Sequence, residues 1–190
     1  MNSEQFNELI KRRRSIFPTL FTGEVVEDDI VQQMLENAHW APMHKLTYPW
    51  RFKVYTGEGI KKLANFMAEC YKEVSTNKGN FDEKNYQKLL TKPLLSSHII
   101  SIGMKSSGMV PEIEEIEAVS CAVENMYLTA AAYDVGMYWG TGGVTYIEEA
   151  KSFFDLDEQD KLLGFVFIGK PKIWPEGKRK DINDFVEWVK

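Results

Sequence analysis

Residues 111–134, PEIEEIEAVSCAVENMYLTAAAYD, decide how this chain folds. Ile116, Val119, Val123, Met126, Ala130 and Tyr133 recur at helical spacing, with Pro111 at the first helical position and Gly136 just beyond as a stop. Ser120, Cys121, Ala122, Thr129, Ala131 and Ala132 keep much of this helix thin, so another backbone can approach it closely. It belongs at the centre of the molecule or of a dimer.

Downstream, Met137–Gly140 reads as a short strand, followed by a glycine loop, a helix near Ile147–Phe154 and a strand at Leu162–Ile168. Asp181–Val189 forms a last helix or an extended arm. Upstream, a helix capped by Ser3 runs to about Arg13 and stops ahead of Pro18. A second starts near Glu27, with acidic residues in its first turn, buries Ile30, Met34, Leu35 and Ala38, and ends before Pro42. Arg51–Thr56 alternates as a half-buried strand. A helix carrying Ile60, Leu63, Ala64, Met67 and Tyr71 follows, then a loop at Ser75–Asn80 and a short helix at Asp82–Leu90. His98–Lys105 is a strand and Ser106–Val110 a loop. About five helices against three or four short strands make an α+β domain without the βαβ alternation of a Rossmann fold. No linker or repeat divides residues 1–190, so they form one domain, with 171–190 as a C-terminal arm.

The 23 Lys and Arg against 28 Asp and Glu give a net charge of −5, which argues against a nucleic-acid partner. Two cysteines without metal-ligand spacing imply neither a disulfide framework nor a metal site. The N-terminus is too polar for a signal peptide, and the apolar runs Ile99–Met104 and Leu162–Ile168 are too short to cross a bilayer. A cytoplasmic protein without a membrane partner is expected.

Three residue groups could carry chemistry. Lys11–Arg14 (KRRR) and Lys178–Lys180 (KRK) are basic runs on an acidic chain, each where an element gives way to a loop. Phosphate cradling wants several donors from different segments, and folding could join these ends around one phosphate. Solvated charge is the plainer alternative. Trp139-Gly140-Thr141-Gly142-Gly143 permits close backbone approach to a flat or charged ligand, with Trp139 as an aromatic wall, or is a tight surface turn. Ala41–Phe52 (APMHKLTYPWRF) is a stiff loop that could hold His44 and Lys45 towards a ligand, or leave His44 in solvent. The chain has no HExxH, GxSxG, Walker loop or GxGxxG, so the chemistry must come largely from a bound cofactor.

Arg13-Arg14-Ser15, the Ala41–Phe52 segment, Met137-Tyr138-Trp139 and Leu163–Pro171 together, in this order, resemble the nitroreductase family, most closely its small YdjA-like branch. The resemblance spans about Glu8 to Trp188. It implies a small antiparallel sheet wrapped by helices in a domain-swapped homodimer, with FMN at the interface and NAD(P)H as electron donor. By the same resemblance, FMN contacts fall on Arg13, Arg14, Ser15, Trp40, His44, Trp139, Gly140, Thr141, Lys178, Arg179 and Lys180. The implied activity is ping-pong reduction of nitroaromatic, quinone-like or other electron-poor small molecules, with no essential protein acid or base. One departure stands out. Many members carry a cation two residues beyond the serine, beside the flavin N1 and O2, and here that residue is Phe17. Losing a cation near an anionic reduced flavin costs about one to a few kcal/mol at a partly buried site. Lys45 is the candidate substitute. Phe17 also leaves open a flavin-binding storage or sensing protein with little turnover, and a colourless structural dimer is a third possibility.

Overall fold

A computed structural model describes residues 2–190. Helix α1 (Ser3–Arg12) is capped one residue earlier than its sequence suggests. Asn2 accepts from Gln5 N–H while the Gln5 side chain accepts from Asn2 N–H, a reciprocal box. Helix α2 (Asp28–His39) and strand β1 (Trp50–Thr56) follow. Helix α3 (Glu58–Asn77) runs through the expected loop start at Ser75, which is buried and donates its hydroxyl proton to the Lys72 carbonyl. Helix α4 (Glu83–Thr91), strand β2 (His98–Met104), helix α5 (Glu112–Ala132), strand β3 (Gly136–Gly140) and strand β4 (Lys161–Gly169) complete the fold. Residues 148–154 are a 3-10 turn, and the last segment is an irregular arm with one 3-10 turn at Ile182–Asp184.

The sheet order is β1-β2-β4-β3, antiparallel throughout. Strand alternation divides the core into two layers. Ile100, Ile102, Met104, Val166 and Ile168 meet α2 and α5 through Met34, Val119, Ala122 and Met126. Ile99, Phe165 and Phe167 meet α3 and the 148–154 turn through Leu63, Met67, Ala150 and Phe154. Burial on both faces explains why β2 and β4 read as continuous apolar runs. Pro111 is the residue before the first turn of α5 rather than its first position, and Asp134, at φ +57°, takes the left-handed place that ends the helix. Gly136 has a packing role instead: a Cβ there would stand 2.8 Å from the Phe21 ring.

The register between β2 and β4 slips between Ser101 and Gly103, which pair with Phe165 and Leu162. Two residues of β4, Leu163 and Gly164, thus oppose the single Ile102 of β2 and form a bulge, with Gly164 at φ +114°. A side chain at 164 would drive into the Gly140 carbonyl and lie 3.1 Å from Trp139 Nε1. The bulge therefore seats the end of β3. Gly164→Ala is expected to lower unfolding stability by at least about 3 kcal/mol, combining backbone strain with overpacking. Urea denaturation checks this, and a loss under about 1 kcal/mol would show that the bulge relaxes freely.

Candidate functional site

Residues 13–17 leave α1 and run beside β3. Ser15 bridges Met137 in parallel, and Ile16 N–H donates to the Met137 carbonyl at 2.8 Å. The Arg13 guanidinium lies 5.1 Å over the Tyr127 ring and its Nε is 3.4 Å from Glu124. Arg14 turns the other way: Nε donates to the Pro175 carbonyl at 2.9 Å, and Nη1 to those of Lys11 and Arg13. The backbone at Gly177 lies against this guanidinium so closely that a Cβ would overlap it. Trp174 reinforces the seam, donating to the Arg12 carbonyl at 2.8 Å beneath the Arg12 guanidinium. Residues separated by about 160 positions are thus joined, and Lys178–Lys180 continue from the Arg14 contact. Among the described residues, Arg14, Lys178, Arg179 and Lys180 form no salt bridge, on a chain of net charge −5.

Tyr127, buried on α5, ties this segment to β3. Its hydroxyl accepts from Trp139 N–H at 2.8 Å and lies 3.1 Å from Ser15 Oγ. Burial pushes the phenol above its ordinary pKa, with the Ser15 and Trp139 hydrogen bonds and the Arg13 charge opposing. The phenol stays protonated at neutral pH and its proton is available to Ser15 Oγ, leaving the serine O–H free to turn outward.

The pleat of β3 puts Tyr138 and Gly140 on one face and Trp139 on the other. A cleft of about 390 Å³ opens on the first face, lined by Tyr138, Gly140, Gly142, Gly143, Phe165 and Phe167 on the sheet side. The Trp139 indole is not its wall. That ring packs with the α5 layer and donates to the Leu163 carbonyl at 2.9 Å, so Tyr138 supplies the aromatic surface. Thr141 sits exposed where the strand leaves the sheet. Phe17 is half exposed, its ring 4.4 Å from that of Tyr138. Lys92, in the 3-10 turn after α4, places its ammonium 5.1 Å over the same Tyr138 ring and 5.8 Å over Phe167. Burial, reinforced by the nearby Lys88 charge, lowers the Lys92 pKa from its ordinary value.

The Ala41–Phe52 loop lies elsewhere in the same protomer. Lys45 donates to the Met109 carbonyl at 3.2 Å, and His44 Nδ1 is 2.5 Å from Glu114, at the start of α5. Glu114 and Tyr127 are 13 residues apart on that helix, or ~20 Å at its rise per residue. His44 and Lys45 therefore do not meet the arginine cluster of their own chain; within that chain it is Lys92, not Lys45, that reaches the Tyr138 ring on which Phe17 packs. Trp40, 85% exposed, faces a groove with Phe6, Leu9 and Leu128. Lys45, Leu46 and Tyr48 all hold left-handed φ values of 46–52°, a strained loop of the kind found at ligand clamps.

Sequence reasoning missed two residues here. Tyr127 reads as an ordinary core position of α5, and nothing in its spacing marks the hydroxyl. Lys92 had a faint signal, because Asn85, Lys88, Leu89 and Lys92 fall on one helical face.

The model of the nitroreductase family matches residues 10–170. The chain belongs to the nitroreductase family. YdjA of Escherichia coli K12, which carries the name of an NAD(P)H nitroreductase, is 30% identical over 171 residues, covering 87% of this chain and 88% of its own. A nitroreductase-like protein from Bacillus cereus superposes with a TM-score of 0.83 at 28% identity, over 100% of this chain and 98% of that one. An FMN complex from Desulfovibrio desulfuricans shares the fold at a TM-score of 0.75 and 22% identity, over 100% and 98% of the two chains. The four-stranded antiparallel sheet wrapped by helices is thus the nitroreductase arrangement.

Within that family frame, the Tyr127 hydroxyl is the joint between α5, β3 and the 13–17 segment. Tyr127→Phe leaves the Trp139 N–H without its acceptor, so a loss of about 1–3 kcal/mol in unfolding free energy is expected. A chemical-denaturation midpoint matching the native protein would remove this role.

Proposed function

We propose that this protein is an FMN-dependent oxidoreductase that uses NAD(P)H to reduce electron-poor small molecules. The observation that carries this reading is the seam between Arg14 and Pro175–Gly177, which joins Arg14 to the segment that continues into Lys178–Lys180, all four without a salt-bridge partner among the described residues. The adjacent Ser15 bridges β3, whose Tyr138 and Gly140 line the aromatic cleft. These residues fit FMN. Arg13, Arg14, Ser15 and Lys178–Lys180 would hold the phosphate and ribityl end, with the free Nη2 of Arg14 and the Ser15 hydroxyl as donors. Gly140, Thr141 and the backbone of Trp139 would border the ring, with Tyr138 beside it. Bound there, FMN supplies the hydride acceptor and donor that the protein's own side chains lack.

The chain's own part is to bind, orient and tune. Lys92 brings positive charge to the cleft at the Tyr138 ring, on which Phe17 also packs. A desolvated ammonium favours an anionic reduced ring, so the cation absent at position 17 is replaced from a different element. Nicotinamide donor and acceptor would occupy the cleft in turn, in ping-pong order, with nitroaromatics or quinones as acceptors. Storage or sensing of flavin is the second reading, favoured by Phe17 and opposed by Lys92. Steady-state NADH and NADPH oxidation with a nitroaromatic acceptor decides between them, and a purified protein with no flavin absorbance, even after FMN addition, sinks both.

The site is completed by a second copy in this reading. His44 and Lys45 lie ~20 Å along α5 from Tyr127, so a partner's loop, not the chain's own, reaches the flavin beside Trp40. Exposed Phe185, Val186, Trp188 and Val189 on the 171–190 arm, and the unpaired outer edge of β1, suit an arm that wraps the partner. Among the described residues no helix is long and apolar enough to cross a membrane, in keeping with a cytoplasmic homodimer.

Arg14→Ala should weaken FMN binding by roughly 1.5–3 kcal/mol, the range for charged hydrogen bonds. Fluorescence titration measures it, and unchanged affinity would return the arginine to plain surface charge. Cofactor released from the native protein should have the mass of FMN; FAD would overturn the assignment. Sedimentation at micromolar concentration is expected to give about twice 21.9 kDa. A monomer fully loaded with FMN would refute the shared site.

A further inference from the structure

The cleft beside Tyr138 has a third wall whose chemistry the proposed hydride transfer does not require. Asn85, Lys88, Leu89 and Lys92 come from one face of α4 and the turn that follows it, and all four line the cavity. Met67 and Tyr71 of α3 close its apolar floor. No carboxylate lines it, although acidic residues outnumber basic ones in the chain. Nearby on α3 and α4, Glu69 accepts from the Tyr86 hydroxyl at 2.6 Å and Glu83 from the Gln87 amide at 2.8 Å. Among the described residues neither Lys88 nor Lys92 has a salt-bridge partner. Two ammonium groups four positions apart on a helix repel each other. The lowered Lys92 pKa reports that repulsion together with burial.

We propose that the acceptor reduced in this cleft is an anionic aromatic molecule, a carboxylate or phenolate, whose charged group rests on Lys88 and Asn85. The assignment rests on the flavin reading above, in which Lys92 serves the cofactor and Lys88 is left for the substrate. A neutral ring gains only the aromatic walls. An anionic one also relieves the repulsion between the lysines, and Asn85 offers its amide N–H₂ as a second donor. The place of Lys88 in the last turn of α4 also favours the helix dipole, so its effect on stability alone is uninformative.

Calorimetric titration of the oxidised, FMN-loaded protein with 4-nitrobenzoate and with its neutral isostere 4-nitrobenzamide tests the assignment without turnover. Nitrobenzoate is expected to bind about tenfold tighter, a preference that Lys88→Gln cuts below about threefold and Lys88→Arg retains. Nitrobenzamide affinity should be the same in all three proteins, which controls for folding of the cleft. Equal affinity for the two ligands in the native protein, or a preference that survives Lys88→Gln, overturns the proposal. Weaker FMN binding in Lys88→Gln, with the ligand preference intact, also overturns it by giving the lysine to the cofactor. If the native protein binds FMN and oxidises NAD(P)H yet shows no anion preference, only this proposal falls. If it binds no FMN, the flavin reading falls, and this proposal with it.

Discussion

One phenolic oxygen holds the working end of this molecule together. Tyr127 projects from the central helix, accepts the Trp139 N–H of an edge strand and contacts the hydroxyl of Ser15 on the segment leaving α1. The three elements come from separate parts of the chain, and backbone pairing between the last two is limited to a single bridge. The hydroxyl fixes where the strand ends, hence which way Tyr138 and Gly140 face. It also fixes where Arg13 and Arg14 leave the helix. The arginine seam and the aromatic cleft inherit their relative placement from it.

Charge supplies the second constraint. An acidic chain that keeps cations without counterions gives up favourable pairing wherever it does so. Among the described residues, Arg14 with the adjoining KRK run, and Lys88 with Lys92 on the α4 wall of the cleft, are two such groups. Several lysines elsewhere are paired: Lys11 with Glu8, Lys53 with Asp155, Lys61 with Glu58 and Lys170 with Glu27. Unpaired cations that a tertiary contact joins, or that line one cleft, mark a surface suited to anions more clearly than any count of basic residues.

Much of this was legible in the sequence. The apolar spacing of α5 and α2 gave both helices to within a residue or two, because each presents one face to the sheet. Continuous apolar runs found β2 and β4. The KRRR and KRK clusters stood out against the net charge, and their meeting was open to view as a possibility. What stayed hidden depends on parity and on distance. Whether Tyr138 or Trp139 faces the cleft turns on a single step along β3, and both are large aromatics that would fill either face. Lys45 sits in a conspicuous motif and Lys92 in none, yet only the tertiary fold brings Lys92 to the Tyr138 ring. The cap at Asn2 rests on a reciprocal pair of side-chain hydrogen bonds that no periodicity reports.

The bulge at Gly164 acts on strand β4 as a phase shift. Leu162 and Phe165 face the same core layer although three positions separate them, and Leu163 and Val166 share the other. A regular strand would put the members of each pair on opposite sides. The extra residue lets two runs of opposite alternation share one strand, so the count of residues between Lys161 and Phe165 matters as much as their identity. Trading one apolar side chain for another there leaves the phase intact. Losing a single residue would turn one half of the strand inside out, moving Leu162 and Leu163 each into the layer built for the other. The length of this segment is thus held more rigidly than its composition, even though it contains no residue of the proposed site.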